Sequence, residues 1–272
     1  MSRLFCLNRK EGFTMIVIYI LAIVVALLLI YMFKHAHEHN IHQHEVQMLG
    51  EYDVVKIIFI SDVHNRKIHP KKLQTIGSVD AVIIGGDFCD RRTSEQKLVD
   101  NLSALSSLGP IYFIWGNNDR EFGESRLRGI LHQFKATIIE NDAIQLPNRS
   151  NSTWISAIDD TSTKNYSFKQ ALQKCQDDDV IIFVSHNPQV FHLARQQKKV
   201  SLLMGGHLHG GQIRFGKFGL HPHGSFLIRQ GVPTLISNGF GTTLVPLRLG
   251  AQPQMHVITL QIDKNRKEEV EG

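Results

Sequence analysis

The sequence predicts an α/β fold preceded by one membrane-spanning helix, and three observations support this prediction. From about residue 51 onward, short apolar runs rich in β-branched residues alternate with stretches of helical character. The runs are almost continuously apolar, which is typical of strands that helices cover on both faces. A separate segment, Phe13 to Phe33, contains no charged residue, proline or glycine. Strands separated by helices of this length indicate an α/β sheet that follows the apolar segment.

The apolar segment is long enough to cross a bilayer, because a spanning helix needs about 20 apolar residues. A cleaved signal peptide is disfavoured, since bulky residues stand where a cleavage site requires small ones. Arg3, Arg9 and Lys10 precede the segment, and only Lys34 follows it closely. The positive-inside rule therefore predicts a single-pass protein of the cell membrane whose remaining chain is extracytoplasmic.

These patterns divide the chain into five parts. Residues 1–12 are the predicted cytoplasmic N-terminus, and residues 13–33 are the transmembrane anchor. Residues 34–50 are rich in histidine, and we interpret them as a polar juxtamembrane linker. A metal-scavenging tract is the alternative, but no carboxylate or cysteine partner fixes a ligand geometry there. Residues 51–263 form the predicted α/β domain, and residues 264–272 are a charged tail.

Within the predicted α/β domain, glycine, serine and asparagine lie between the apolar runs and mark the element boundaries. The predicted strands are Val54–Ile60, Ala81–Ile84, Ile111–Trp115, Val180–Val184 and Val200–Met204. The predicted helices are Pro70–Ile76, Ser94–Leu108, Ser125–Phe134 and Ser167–Cys175. The polar stretch from Asn141 to Thr163 is expected to be a surface loop, and residues 212–262 are expected to form strands and turns.

Charge and cysteine content exclude two classes of protein. The formal net charge is +5, and the basic residues are scattered. A nucleic-acid binder would carry a concentrated basic stripe beside aromatic residues, so we expect no nucleic-acid partner. The three cysteines, Cys6, Cys89 and Cys175, have no paired or metal-binding spacing. We therefore expect free thiols and no disulfide framework.

Each of the five predicted strands leads into a loop that carries Asp, His or Asn. A lone Asp after a strand is more often a helix cap, but loops at the carboxyl ends of strands converge on one crevice. Imidazole and carboxylate together suit Mn, Fe and Zn, and two such ions about 4 Å apart can activate water against phosphorus. Asp90 and Asp119 are candidates for orienting the histidines, or alternatively for capping and salt bridging. The predicted loop residues are Asp62, His64, Asp87, Asp90, Asn117, Asn118, Asp119, His186, His207 and His209.

In chain order, the motifs D-x-H, GGD-x-x-D, GN-x-D, SHNP and GGHLHGGQ resemble the calcineurin-like metallophosphoesterase superfamily. The stretch from Asn238 to Pro253 is similar to its membrane-associated, YkuE-type branch. The resemblance covers about Val54 to Leu260 and implies two packed mixed β-sheets flanked by helices, a four-layer sandwich.

The resemblance also implies a site with two divalent metal ions, either Mn, Fe or Zn. One ion would be held by Asp62, His64 and His209, and a hydroxide held between the two ions would attack the phosphate. The second ion would be held by Asn117, His186 and His207, with Asp87 bridging the two. The residues implied in catalysis are Asp87, Asn117, Asn118 and His186.

Asn118 departs from the family pattern, because many relatives have a histidine there that protonates the leaving oxygen. Asparagine donates a hydrogen bond but delivers no proton, so general-acid help of about 10²–10⁴-fold is missing. Either the enzyme favours phosphodiesters or anhydrides, which have better leaving groups, or another group supplies the proton.

We therefore predict a membrane-anchored phosphoesterase that hydrolyses phosphate esters, with phosphodiesters preferred. Membrane lipid is an expected partner through the N-terminal helix, and lipid or cell-envelope phosphate esters are candidate substrates. The alternative is a catalytically silent, metal-loaded binding protein at the membrane, which Asn118 and the histidine-rich segment support. An amide hydrolase is disfavoured, since the chain has no H-E-x-x-H motif.

Overall fold

A computed structural model describes residues 2–263, with side chains described from residue 12 onward. The chain begins with helix α1 (Ser2–Ala36). In the described chain, one helix segment, Gly12–Ala36, is long and apolar enough to cross a membrane. Its side chains are exposed as far as Tyr31, whereas Met32, His35 and Ala36 are buried against the rest of the chain. The predicted tail, residues 264–272, lies outside the described residues.

The remaining chain alternates strands and helices. The strands are β1 (Ile41–Leu49), β2 (Asp53–Ile60), β3 (Ala81–Gly85), β4 (Ile111–Ile114), β5 (Thr137–Ile138), β6 (Asp142–Gln145), β7 (Thr153–Ala157), β8 (Val180–Val184), β9 (Leu202–Gly205), β10 (Ser225–Arg229), β11 (Val232–Ile236) and β12 (Met255–Asp263). The helices are α2 (Pro70–Leu73), α3 (Glu95–Ser106), α4 (Glu124–Gln133), α5 (Phe168–Leu172) and α6 (Phe191–Gln197).

The strands form two mixed sheets of six strands each. The first sheet has the order β1-β12-β2-β3-β4-β5, and the second has the order β10-β11-β9-β8-β7-β6. In the first sheet β2 to β5 are parallel, and β12 runs antiparallel to β2. In the second sheet β7, β8, β9 and β11 are parallel, with antiparallel strands at both edges. The carboxyl ends of the parallel strands define one edge in each sheet, where the functional loops begin.

Three hydrophobic cores arrange the sheets and helices in four layers. The inner core lies between the sheets and joins Phe59 of the first to Met204 of the second. On the outer face of the first sheet, α3 and α4 bury residues such as Leu102 and Leu131. On the outer face of the second sheet, α5 and α6 bury residues such as Leu172. Central strands are thus covered on both faces, which explains their continuous apolar runs and confirms the predicted α/β sandwich.

The structure differs from the sequence interpretation in two segments. Residues 41–49, interpreted as part of a polar linker, instead form β1, which pairs in parallel with β12. Only alternate residues, such as Val46 and Met48, are buried, so this edge strand has a polar composition. Residues 141–163, expected as a surface loop, contain β6 and the interior strand β7. These strands are short and flanked by polar turns, so their apolar runs are weak.

Candidate metal centre

The predicted site residues meet at the edge where both sheets end. The loops after β2, β3 and β4 supply the carboxylates, one histidine and the asparagines, and those after β8 and β9 supply three histidines. Two groups of metal-ligating atoms form there, and within each group all atoms lie within 4.8 Å of one another. The first cluster is Asp62, His64 and His209, and the second cluster is Asp87, His186 and His207.

The first cluster is enclosed by protein. His64 Nε2 lies 3.2 Å from His209 Nε2, and their rings are stacked with centroids 5.2 Å apart. His209 Nε2 lies 3.3 Å from Asp62 Oδ1. All three side chains are buried. Two imidazoles and a carboxylate thus converge on one point, as in sites for first-row divalent ions.

The second cluster contains a histidine whose tautomer is set by the backbone. His186 Nδ1 lies 3.0 Å from Gly85 O, so its N–H donates a hydrogen bond to this carbonyl. The Nε2 atom points into the cluster, 3.3 Å from Asp87 Oδ2 and 3.1 Å from His207 Nδ1. A backbone acceptor of this kind orients many metal-ligating histidines.

Asp87 lies between the two clusters. Its Oδ2 atom is 3.3 Å from His186 Nε2 and 3.9 Å from His64 Nε2. Its Oδ1 atom accepts a 2.7 Å hydrogen bond from the backbone N–H of Asn118. The Asn118 side chain donates to Oδ2 at 3.2 Å. One carboxylate therefore faces imidazoles of both clusters while Asn118 fixes its orientation.

Asn117 has a side-chain oxygen without a hydrogen-bond partner among the described residues. Its amide nitrogen donates to Asn118 Oδ1 at 2.8 Å. Its Oδ1 atom is that oxygen, and it is buried. Such an atom carries a desolvation penalty of about 1–3 kcal/mol, which a cation would offset. The orphaned oxygen and the donor set of Asp, His and Asn fit divalent metal ions.

Asp90 and Asp119 have different roles around the clusters. Asp90 Oδ2 lies 3.4 Å from His64 Nδ1 and 2.6 Å from Arg92 Nη2, so it can orient the His64 ring. Asp119 is fully buried and accepts hydrogen bonds from the backbone N–H groups of Asp87, Gly116 and Cys89. Burial and the Asp87 carboxylate raise the pKa of Asp119 to about 7. Asp119 therefore organises the loops rather than a histidine.

The ligand loops have unusual backbone conformations. Five of the twelve non-glycine residues with positive φ in the described chain are candidate ligands, with φ between 49° and 70°. Each costs of order 1–3 kcal/mol, and strain of this kind clusters at functional sites. Gly239, at φ 71°, approaches Asp62 so closely that an added Cβ would lie 2.6 Å from the Asp62 Cβ atom. The five residues are Asp62, His64, Asp87, His207 and His209.

Arg248 is a site component that the sequence motifs do not single out as functional. It is fully buried, and its guanidinium donates to the backbone carbonyls of Gly241, Asn238, Ala251 and His209. The hydrogen bond from Nη2 to Gly241 O is 2.7 Å. No carboxylate forms a salt bridge with it among the described residues. A cage of carbonyls thus ties the His209 loop to residues 238–251.

The cysteine prediction is confirmed for the two described thiols, and Cys6 has no described side chain. Cys89 and Cys175 are free and buried. Burial raises the pKa of the Cys175 thiol to about 11, so it stays protonated at neutral pH. The histidines between residues 35 and 44 belong to neither metal-ligating cluster.

Metal loading of chelator-treated protein is expected to release protons near neutral pH. Burial alone would lower the pKa of His186, but Asp87, Asp62 and the Gly85 carbonyl outweigh it and raise the pKa to about 10. Below that pH the metal-free ring holds a proton that a cation must displace, so metal affinity rises as pH rises toward 10. Titration calorimetry in buffers of different ionisation enthalpy measures the release. A His186→Asn variant should release fewer protons, and heat independent of the buffer would contradict the expectation.

The Asn118→Ala variant is expected to lose about 10-fold in kcat/KM, the smaller end of losses caused by removing a partner of a metal ligand. The side chain bonds both the Asp87 carboxylate and the Asn117 amide, so its loss loosens two candidate ligands. Steady-state hydrolysis measures the effect, with exposed Asn165→Ala as the matched control. Equal activity of the two variants would show that Asn118 positions neither group.

Paired clusters of histidine and carboxylate at the common edge of two packed sheets define a metal-dependent hydrolase domain. A family model described as calcineurin-like phosphoesterase matches residues 55–211, more than half of the chain. The chain therefore belongs to the calcineurin-like phosphoesterase family, and it is a metal-dependent phosphoesterase.

Individual relatives agree with this assignment. The chain is 36% identical over 180 residues to the uncharacterized protein YpbG of Bacillus subtilis (strain 168), covering 66% of this chain and 70% of that protein. It is 26% identical over 196 residues to the uncharacterized metallophosphoesterase YkuE of the same strain, and the match covers 67% of this chain and 68% of YkuE. It is also 26% identical over 208 residues to a Danio rerio transmembrane protein with a metallophosphoesterase domain, and the match covers 67% of this chain and 46% of that protein. The predicted resemblance is confirmed.

Proposed function

We propose that the chain is a membrane-anchored, binuclear-metal phosphoesterase that prefers phosphodiesters. The carrying observation is the position of Asp87, whose Oδ2 atom faces His64 of one cluster and His186 of the other. In this proposal Asp87 bridges two ions, either Mn, Fe or Zn. The first ion is held by Asp62, His64 and His209, and the second by Asn117, His186 and His207.

The protein residues position the reactants in this proposal. When bound, the two ions supply a water of lowered pKa and neutralise charge on the phosphate. His207 and Asn118 are partly exposed, so substrate reaches the site on their side. The Asn118 amide has two N–H donors, one of which bonds Asp87 and the other of which is available to a substrate oxygen. Because it delivers no proton, better leaving groups are favoured.

The anchor proposal rests on α1. Residues 12–36 meet the length and composition of a spanning helix, and a relative of similar sequence is named a transmembrane protein. We propose a single-pass membrane protein with an extracytoplasmic catalytic domain, since three basic residues precede the span and Lys34 alone follows closely. A tethered enzyme meets substrates at the membrane, so lipid or cell-envelope phosphate esters are the proposed substrate class.

Hydrolysis assays on the full chain in detergent test the proposal. A truncation at residue 45 would cut through β1, so the whole protein is the suitable sample. Chelator-treated protein is reloaded with Mn²⁺, Fe²⁺ or Zn²⁺ and assayed with bis-p-nitrophenyl phosphate and p-nitrophenyl phosphate. We expect metal-dependent cleavage that favours the diester, and an Asn118→His variant should shift the preference toward the monoester.

The outcomes separate enzyme from binding protein. Metal binding without turnover of either compound, at high concentrations of folded protein, would overturn the proposal and support a silent binding protein. Preference for the monoester by the wild type would overturn the diester assignment alone.

A further inference from the structure

Two loops beside the membrane end of α1 expose large apolar side chains. The first loop, residues 214–221, contains a tight turn in which Phe215 and Phe218 exchange backbone hydrogen bonds. The second loop, residues 242–247, presents Leu244, which is 91% exposed. Outside α1, five of the eleven exposed large apolar side chains of the described residues lie in these two loops. They are Phe215, Phe218, Leu220, Leu244 and Val245.

Hydrogen bonds place both loops beside the C-terminal end of the apolar part of α1. The backbone N–H of Arg248 donates to Met32 O at 3.1 Å, and Phe33 ends the apolar run. The neighbouring Leu249 accepts from the backbone N–H of Arg214 at 2.8 Å, which places the first loop next to this junction. A helix that crosses the bilayer therefore brings both loops to the bilayer surface.

The second loop is held near the C-terminal end of α1 by hydrogen bonds to Gln212. Gln212 Nε2 donates to Thr243 O and Val245 O, each at 3.0 Å. A cavity of about 310 Å³ lies between this loop and the helix end, with Thr242 and Pro246 facing Ala36 and His37. The loops thus flank α1 and are not distributed around the domain.

The charged residues of the segment that contains both loops favour contact with a phospholipid surface. Residues 180–262 contain no Asp or Glu, and their charged residues are all basic. Lys217 lies at the tip of the first loop and is exposed. Anionic headgroups attract such residues, and no carboxylate of this segment repels phosphate. Apolar tips beside basic residues are the composition of surfaces that enter the membrane interface.

We infer that the two loops, residues 214–221 and 242–247, insert into the surface of a phospholipid bilayer beside α1. The continuity of the patch with the spanning helix favours a bilayer over a soluble protein as the occupant. This inference rests on the anchor part of the proposed function and deepens it. Arg214 also donates to Gly210 O in the loop of His209, so insertion brings the metal centre close to lipid phosphates.

Depth-dependent quenching in vesicles tests the insertion. The full chain is reconstituted in phosphatidylcholine–phosphatidylglycerol vesicles, and flotation first verifies that the protein is anchored. Phe218→Trp and Leu244→Trp each add a fluorophore to one loop, and brominated lipids quench tryptophans that enter the bilayer. Leu49→Trp is the matched control, because Leu49 is exposed at the opposite end of β1. Emission of the wild type corrects for the native Trp115 and Trp154.

We expect brominated lipid to remove most of the added emission at positions 218 and 244 and none at position 49. Quenching at 218 or 244 no greater than at 49, in protein that floats with the vesicles, would overturn the inference and favour a soluble partner for the patch. Failure to float would instead reject the anchor on which the inference rests. None of these readings depends on catalysis, so a failed hydrolysis assay leaves them interpretable.

A second experiment measures how loop insertion affects the hydrolysis of a membrane-bound substrate. The Phe218→Ser/Leu244→Ser double variant is expected to lose activity on a phosphodiester lipid in vesicles at least several-fold, while its hydrolysis of bis-p-nitrophenyl phosphate is unchanged. Leu49→Ser should change neither rate. Activity of the double variant on the vesicle lipid equal to that of the wild type would overturn the inference.

Discussion

The Asp87→Asn variant is expected to hydrolyse phosphate esters at least about 100-fold more slowly than the wild type, beyond the losses that follow changes to partners of metal ligands. The substitution keeps the shape of the side chain and its acceptor for the Asn118 N–H. It removes the charge that faces His64 and His186, which in the proposed binuclear site would hold two cations near each other. Metal content by mass spectrometry and kcat measure the two consequences.

Two other aspartate variants serve as controls for the size of this loss. Asp90→Asn changes a carboxylate that contacts His64 through its outer nitrogen and pairs with Arg92, so the loss should be about 10–100-fold. Asp100→Asn changes a half-buried carboxylate that pairs with Lys67 away from the site and should leave activity unchanged. Asp87→Asn protein with normal metal content and turnover would remove Asp87 from the site. Melting temperatures in chelator establish that all three variants fold.

The Arg248→Met variant is expected to lose at least about 3 kcal/mol of unfolding free energy, because each buried carbonyl left without its donor costs about 1–3 kcal/mol. Methionine fills a similar volume but donates no hydrogen bond to Gly241, Asn238 or His209. These contacts hold the His209 loop in place, so phosphoesterase activity should fall as well. Denaturant unfolding of the metal-free protein measures the loss.

Arg229→Met is the matched control, since Arg229 is exposed on β10. Exposed substitutions of this kind usually change stability by less than about 0.5 kcal/mol. Arg248→Met protein as stable as the Arg229→Met variant would mean that solvent replaces the lost donors. The loss should be at least as large in the metal-loaded form, because a variant with a weakened metal site gains less stabilisation from bound metal.

The location of the candidate site is predictable from sequence, because its residues directly follow buried strands. Val54 to Ile60 and Val180 to Val184 are apolar enough to read as strands, and both lead straight into site loops. The geometry within the loops is not predictable in this way. The left-handed backbone of Asp62 and Asp87 and the orientation of the Asn117 amide follow from contacts between loops.

The elements that sequence analysis misses share one physical property, since their partners lie far away in the chain. β1 is polar because it is an edge strand, and its pairing with β12 supplies the stability that its own composition lacks. The Arg248 cage has the same character, because a single arginine in a Pro-Leu-Arg motif gives no sign that carbonyls will surround it. Local propensity and periodicity register neither kind of long-range contact.

The position of β12 between β1 and β2 has a consequence for how the protein is made. β1 follows α1 directly and is synthesised before every other strand, yet its one neighbour in the sheet is β12, the last strand described. Until β12 is synthesised, the backbone donors and acceptors of β1 have no partner in the sheet, and unpaired strand edges are prone to wrong associations. The first sheet can close only after residues 255–263 have emerged. Assembly of the first sheet therefore waits for its last strand, and β1 has no partner in the sheet until then.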